Sequence, residues 1–97
     1  MKEIKLYEKL NNSFAENKDI AKKIREDELM PIMAKGEKII INFEKIDSAT
    51  QSFIHALISD VIRKNGISSI DKMYFRNCNE IVQKIITIVI NYMQKKD

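Results

Sequence analysis

The chain has 97 residues, a formal net charge of +3, 44% apolar and 32% charged residues, and one cysteine. That length supports one domain with a single core. The lone cysteine excludes an internal disulfide and fits a reducing cytoplasm, no apolar run suits a membrane span, and the modest, dispersed charge makes nucleic acid an unlikely partner.

Met1-Lys2-Glu3-Ile4 opens a charged segment, so no leader peptide is expected. Glu3 to Tyr7 alternates in period two and predicts a short strand, at a sheet edge because of its lysines. Asn11-Asn12-Ser13 is a turn, and the next helix starts either from a box at Ser13 to Glu16 or at Asp19. Ile20, Ala21, Ile24 and Leu29 form its apolar stripe. Pro31 should break or kink that helix and suits the first turn of a new one.

Gly36 to Gly66 is the most informative stretch. Ile39-Ile40-Ile41 with Phe43 is short, β-branched and bounded by charge, as in a strand covered on both faces. Ser48-Ala49-Thr50-Gln51 has capping-box spacing. Phe53, Ile54, Leu57, Ile58, Val61 and Ile62 then line one helix face, which Asn65-Gly66 closes. Ser68 to Asp71 connects to a third strand, Lys72 to Arg76. Asn77-Cys78-Asn79-Glu80 has the spacing of another cap, for a helix from Asn79 to Gln94. The order β-α-β-α-β-α predicts an α/β fold, residues 1–97 as one domain, with a mostly parallel sheet covered by helices.

The last helix is apolar on more than one face. Ile81, Ile85, Ile88 and Tyr92 exceed what one sheet contact needs. They lodge in the core or form an interface, either in a homodimer or with another protein. The β-branched run Ile85 to Ile90 also resembles a strand, but its length and the preceding cap favour a helix.

The residues Ile41-Asn42-Phe43-Glu44-Lys45-Ile46, with Ala49-Thr50-Gln51-Ser52-Phe53-Ile54 and Leu57, resemble a bacterial STAS-like family of unknown function. Met73-Tyr74-Phe75-Arg76-Asn77 resembles that family's next strand, and Asn42 stands where it more often has Asp. The resemblance extends to anti-sigma-factor antagonists, in which an Asp-Ser step holds a serine that a kinase phosphorylates. Asp47-Ser48 resembles that step, with Ala49-Thr50 replacing the usual Ser/Thr-Gly. The resemblance implies a STAS-like domain whose partner is a histidine-kinase-like ATPase or a similar bacterial regulator.

Catalytic chemistry finds little support. His55 has Ser52 and Ser59 at helical spacing, but no orienting acid and no oxyanion site accompany them, so a rim histidine is expected. Cys78 precedes a helix, where the dipole lowers a thiol pKa, yet a small, partly buried apolar role accounts for it better. No ligand spacing suggests a metal, no glycine-rich loop suggests a phosphate, and no cofactor is expected. Lys22, Lys23 and Arg25 read as a solvated face.

The expected function is therefore that of a non-enzymatic regulatory module. It docks a protein through the strand-to-helix rim, with Asp47, Ser48, Thr50, Gln51, Ser52 and His55 as binding residues and Ser48 as a phosphorylation candidate. Two alternatives stay open: a small-molecule or nucleotide sensor, and a structural protein that oligomerises through the last helix.

Overall fold

In the computed structural model, which describes residues 1–94, the elements run as follows. They are β1 (Lys2–Lys5), α1 (Leu6–Leu10), β2 (Phe14–Ala15), α2 (Lys18–Ile24), α3 (Met30–Ala34), β3 (Ile39–Asn42), β4 (Ser48–Ala49), α4 (Gln51–Asn65), β5 (Met73–Arg76) and α5 (Glu80–Gln94). Residues 95–97 of the expected domain lie outside the described residues. β1, β3 and β5 form a parallel sheet in that order, with Ile4 beside Ile41 and Ile41 beside Phe75. The lysine-bearing β1 takes an edge, as expected.

Among the described residues, helices cover only one face of this sheet. Alternation sends Ile4, Ile39, Ile41 and Met73 into the core, while Glu3, Lys5 and Arg76 are exposed on the other face beside half-buried Ile40 and Tyr74. Lys2, on the covered side, reaches Glu28 among the helices at 3.6 Å. The expectation of a strand covered on both faces is therefore corrected. Long amphipathic side chains replace a second helical layer: Lys38 Nζ and Arg76 Cζ lie 5.9 and 5.6 Å from the centre of the Tyr74 ring.

Several local boundaries also differ. The alternation of β1 ends at Lys5, because Leu6 and Leu10 share a helical face and Asn11, at φ 52°, closes α1 in the left-handed region. The cap of α2 is Asn17, whose side chain accepts from Asp19 N and Ile20 N, rather than Ser13 or Asp19. Phe14 and Ala15 are instead extended, paired in parallel with Ser48 and Ala49. The interruption at Pro31 is as expected: α2 loosens into a π-helical turn at Arg25–Leu29, and Pro31 sits in the first turn of α3. Asn79, not Asn77, caps α5, its Oδ1 accepting from Val82 N at 2.9 Å.

α4 is the central helix. Phe53, Ile54, Leu57, Ile58 and Val61 are fully buried against Ile41, Phe43, Leu29 and Val82 in one apolar cluster. Arg25 ties the π-helical turn to α4, donating to the carbonyl of Ala56 at 3.0 Å and pairing with Asp60 at 3.2 Å. Gly66 ends α4 at φ 86°, and its N–H donates to Ile62 O. α5 contributes Val82, Ile86 and Val89 to the core.

Candidate functional site: the rim at the start of α4

Leaving β3, the chain reverses at Lys45, a non-glycine residue at φ 68°, with Ile46 N donating to Phe43 O. Ile46 is buried and anchors the turn. The segment is then held from two sides. Asp47 N donates to Ser13 O at 2.8 Å and Thr50 N to Ala15 O at 2.9 Å, which extends the β2–β4 pairing. From the α5 side, Asn79 Nδ2 donates to Asp47 O at 2.8 Å. One asparagine thus caps α5 and fastens the rim.

The expected box between Ser48 and Gln51 does not form. Thr50 is the cap, its Oγ1 accepting from Phe53 N at 3.0 Å, and Gln51 opens the helix. The reason lies in the pairing of Ser48 with Phe14, which holds Ser48 in a strand two residues ahead of the cap position. The capping hydroxyl of Thr50 is committed to the helix. Asp47, Gln51 and Ser52 are exposed, and Ser48, Thr50 and His55 are half-buried. The rim is accessible yet built on a fixed backbone.

Three of the expected binding residues, Gln51, Ser52 and His55, gather in one depression. Lys18, Gln51, Ser52, His55, Ala56 and Tyr92 line an open hollow of about 620 Å³ between the starts of α2 and α4 and the end of α5. The His55 and Tyr92 rings meet edge to face at 6.3 Å. Asp47 and Ser48 lie on the rim outside this hollow, and Ser59, at 3% exposure, is interior. No sequence signal marks Lys18 as a lining residue, because it belongs to a different helix, α2, and Tyr92 reads in sequence only as part of the last helix's apolar face.

A second polar cluster stiffens the ends of the strands. Asn42, 8% exposed, donates from Nδ2 to Glu3 Oε2 at 2.9 Å. Its Oδ1 accepts from Glu44 N and from Asn77 Nδ2, each at 2.9 Å. One amide side chain thereby links all three strands. An aspartate there would keep both acceptor contacts but set a carboxylate against Glu3, so asparagine suits this position beside β1.

Cys78 does not behave as a helix-start thiol. Burial pushes it up to about 11, so desolvation outweighs any help from the α5 dipole. Sγ faces the carbonyl of Arg76 at 3.8 Å. Among the described residues no group of three or more His, Cys, Asp and Glu is placed to hold a metal ion, and no helix is long and apolar enough to cross a membrane.

No curated protein and no solved structure matches the chain. A family model described as a STAS-like domain of unknown function matches residues 20–83, from α2 across β3, the rim, α4 and β5 into α5. The match covers well over half of the 97 residues and spans the whole rim, so this α/β chain belongs to that STAS-like family.

Proposed function

We propose that this protein is a non-enzymatic regulatory module that docks a partner protein through the rim from Asp47 to His55. Family membership supports a binding or regulatory role at most, since the family is itself described as of unknown function. The observation that carries the finer reading is the contrast between a fixed backbone and free side chains. The segment is held by Ser13, Ala15 and Asn79, while Asp47, Gln51 and Ser52 project without being buried. A surface prepared in this way loses little conformational freedom on binding. The hollow beside it, walled by Lys18, His55 and Tyr92, gives a partner's side chain a shaped seat.

The resemblance to anti-sigma antagonists points to a histidine-kinase-like ATPase as the partner. It also points to control by a phosphate on Ser48, which would add roughly two negative charges to the rim. Ser48 is half-buried in β4, whereas Ser52 is exposed in the first turn of α4, so both hydroxyls belong in the test.

The test is titration calorimetry of the purified chain against a purified histidine-kinase-like ATPase encoded beside its gene. Binding by the wild type, lost in Ser48→Asp or Ser52→Asp with unchanged circular dichroism, is the expected outcome. Binding that both variants retain at full affinity would remove the rim from the interface.

A further inference from the structure

α5 carries a second apolar line that the fold covers only in part, with Tyr92 packed on His55 and Ile85 against the core. Ile81, Ile88 and Tyr92 are 55%, 47% and 63% exposed, with half-buried Ile85 between them. Spaced four, three and four residues apart, these positions run down one side of the helix. The exposed positions of α4 and α2 are polar: Gln51, Ser52, Arg63 and Lys64 on α4, and Lys18, Asp19, Lys22 and Lys23 on α2. Isoleucine forms helix less well than lysine or glutamate, so helix formation gives no reason for Ile81 and Ile88 to face solvent.

We propose that this line seats a second copy of the chain, the two α5 helices packing antiparallel about a two-fold axis. The spacing reads the same in both directions. A copy turned end over end therefore sets Ile81 against Tyr92 of the other copy, and Ile85 against Ile88, twice over. A two-fold interface requires this self-complementarity, and docking of an unrelated protein does not. The exposed parts of Ile81, Ile88 and Tyr92 amount to roughly 350 Å² of surface, within the range in which apolar patches mark interaction sites. Doubled by symmetry, and with the polar flanks at Glu80, Lys84, Thr87 and Asn91, the contact reaches about 1,200 Å², the lower end for a specific interface. The dimer is accordingly a weak, reversible one, with a dissociation constant on the order of 100 μM. Tyr92 also walls the hollow beside the rim, so the two surfaces share that residue, whereas Ile81, Ile85 and Ile88 line no part of the hollow and belong to the dimer alone.

Sedimentation equilibrium of the full chain, from about 10 μM to about 500 μM, tests it. The wild type is expected to pass from monomer to dimer within that range. Ile88→Lys, which sets a lysine against Ile85 of the other copy twice over, should weaken association about a hundredfold with unchanged circular dichroism. If that variant does not fold, Tyr92→Lys, at the most exposed of these positions, carries the same expectation. Register is tested by mixing Ile81→Lys with Tyr92→Glu, since each lysine then meets a glutamate of the other copy. The mixture should associate more tightly than either variant alone, and a mixture no tighter than its components overturns the antiparallel pairing. A wild type that stays monomeric at the top concentration overturns the proposal, even if the monomer binds another protein through this line. So does a dimer that neither lysine substitution weakens.

Discussion

α4 and α5 are both 15 residues long, and α5 is the more apolar in sequence. Yet α4 buries seven residues, and α5 buries only Val82, Ile86 and Val89. Position accounts for the difference. α4 is flanked by α2, the π-helical turn, α3 and α5, whereas the main neighbours of α5 are α4 and β4. A helix in the middle of a layer is covered on both flanks. A helix at the end of a layer keeps one flank free, and the character of that flank is then open to selection for binding. Apolar content alone does not report burial.

Four measurements bear on this contrast, the first with the largest effect. Leu57→Ala, fully buried in α4, should cost about 3–4 kcal/mol in urea denaturation, and Ile86→Ala in α5, at 6% exposure, about 2 kcal/mol. Equal losses would break the picture of a central and a peripheral helix. Next comes the polar cluster at the strand ends. Asn42→Asp should destabilise by about 2 kcal/mol at neutral pH by facing Glu3, and Glu3→Gln should recover most of that in a double-mutant cycle. Lack of recovery would mean that the cost arises elsewhere.

The helix starts sharpen the comparison further. Thr50→Ala removes the cap of α4 and should cost about 1 kcal/mol, while Ser48→Ala, outside the cap, should stay within about 0.5 kcal/mol. A larger loss for Ser48→Ala would restore the box that the sequence suggested. The smallest effect concerns the thiol just before α5. With Cys78 at about 11 against an ordinary 9.0, its thiolate at pH 8 should be about a hundredfold scarcer than in the unfolded chain. Iodoacetamide labelling should be slow at that pH and accelerate only as the pH rises toward 11. The sign also fixes the linkage: the folded form prefers the neutral thiol, so Cys78 withdraws stability above about pH 9, where the unfolded thiol ionises. Rapid labelling at pH 8 would show that the thiol is not desolvated.

Much of the architecture was legible from residue patterns. Ile39 to Ile41, the stripe from Phe53 to Ile62, the stop at Asn65-Gly66 and the break at Pro31 each carry a local physical signal, and each element forms where that signal lies. The rim itself was legible as a polar strand-to-helix junction. Its cap was not, because Ser48 and Thr50 have similar chemistry and only the pairing with Phe14 decides between them. Asn77 and Asn79 posed the same problem. Either suits a helix start, and the choice depends on Asn77 reaching Asn42, 35 residues away.

What the sequence determined by itself is therefore the local part: which segments are helix or strand, where they stop, and that a parallel α/β layer follows from their order. The tertiary structure alone decided what depends on neighbours distant in the chain. It left one face of the sheet open, brought Lys18 and Tyr92 to the rim beside Ser52 and His55, and left Ile81 and Ile88 outside the core. Hydrophobic periodicity records that a side chain avoids water, but not which surface shields it, and that surface exists only once the helices have taken their places on the sheet.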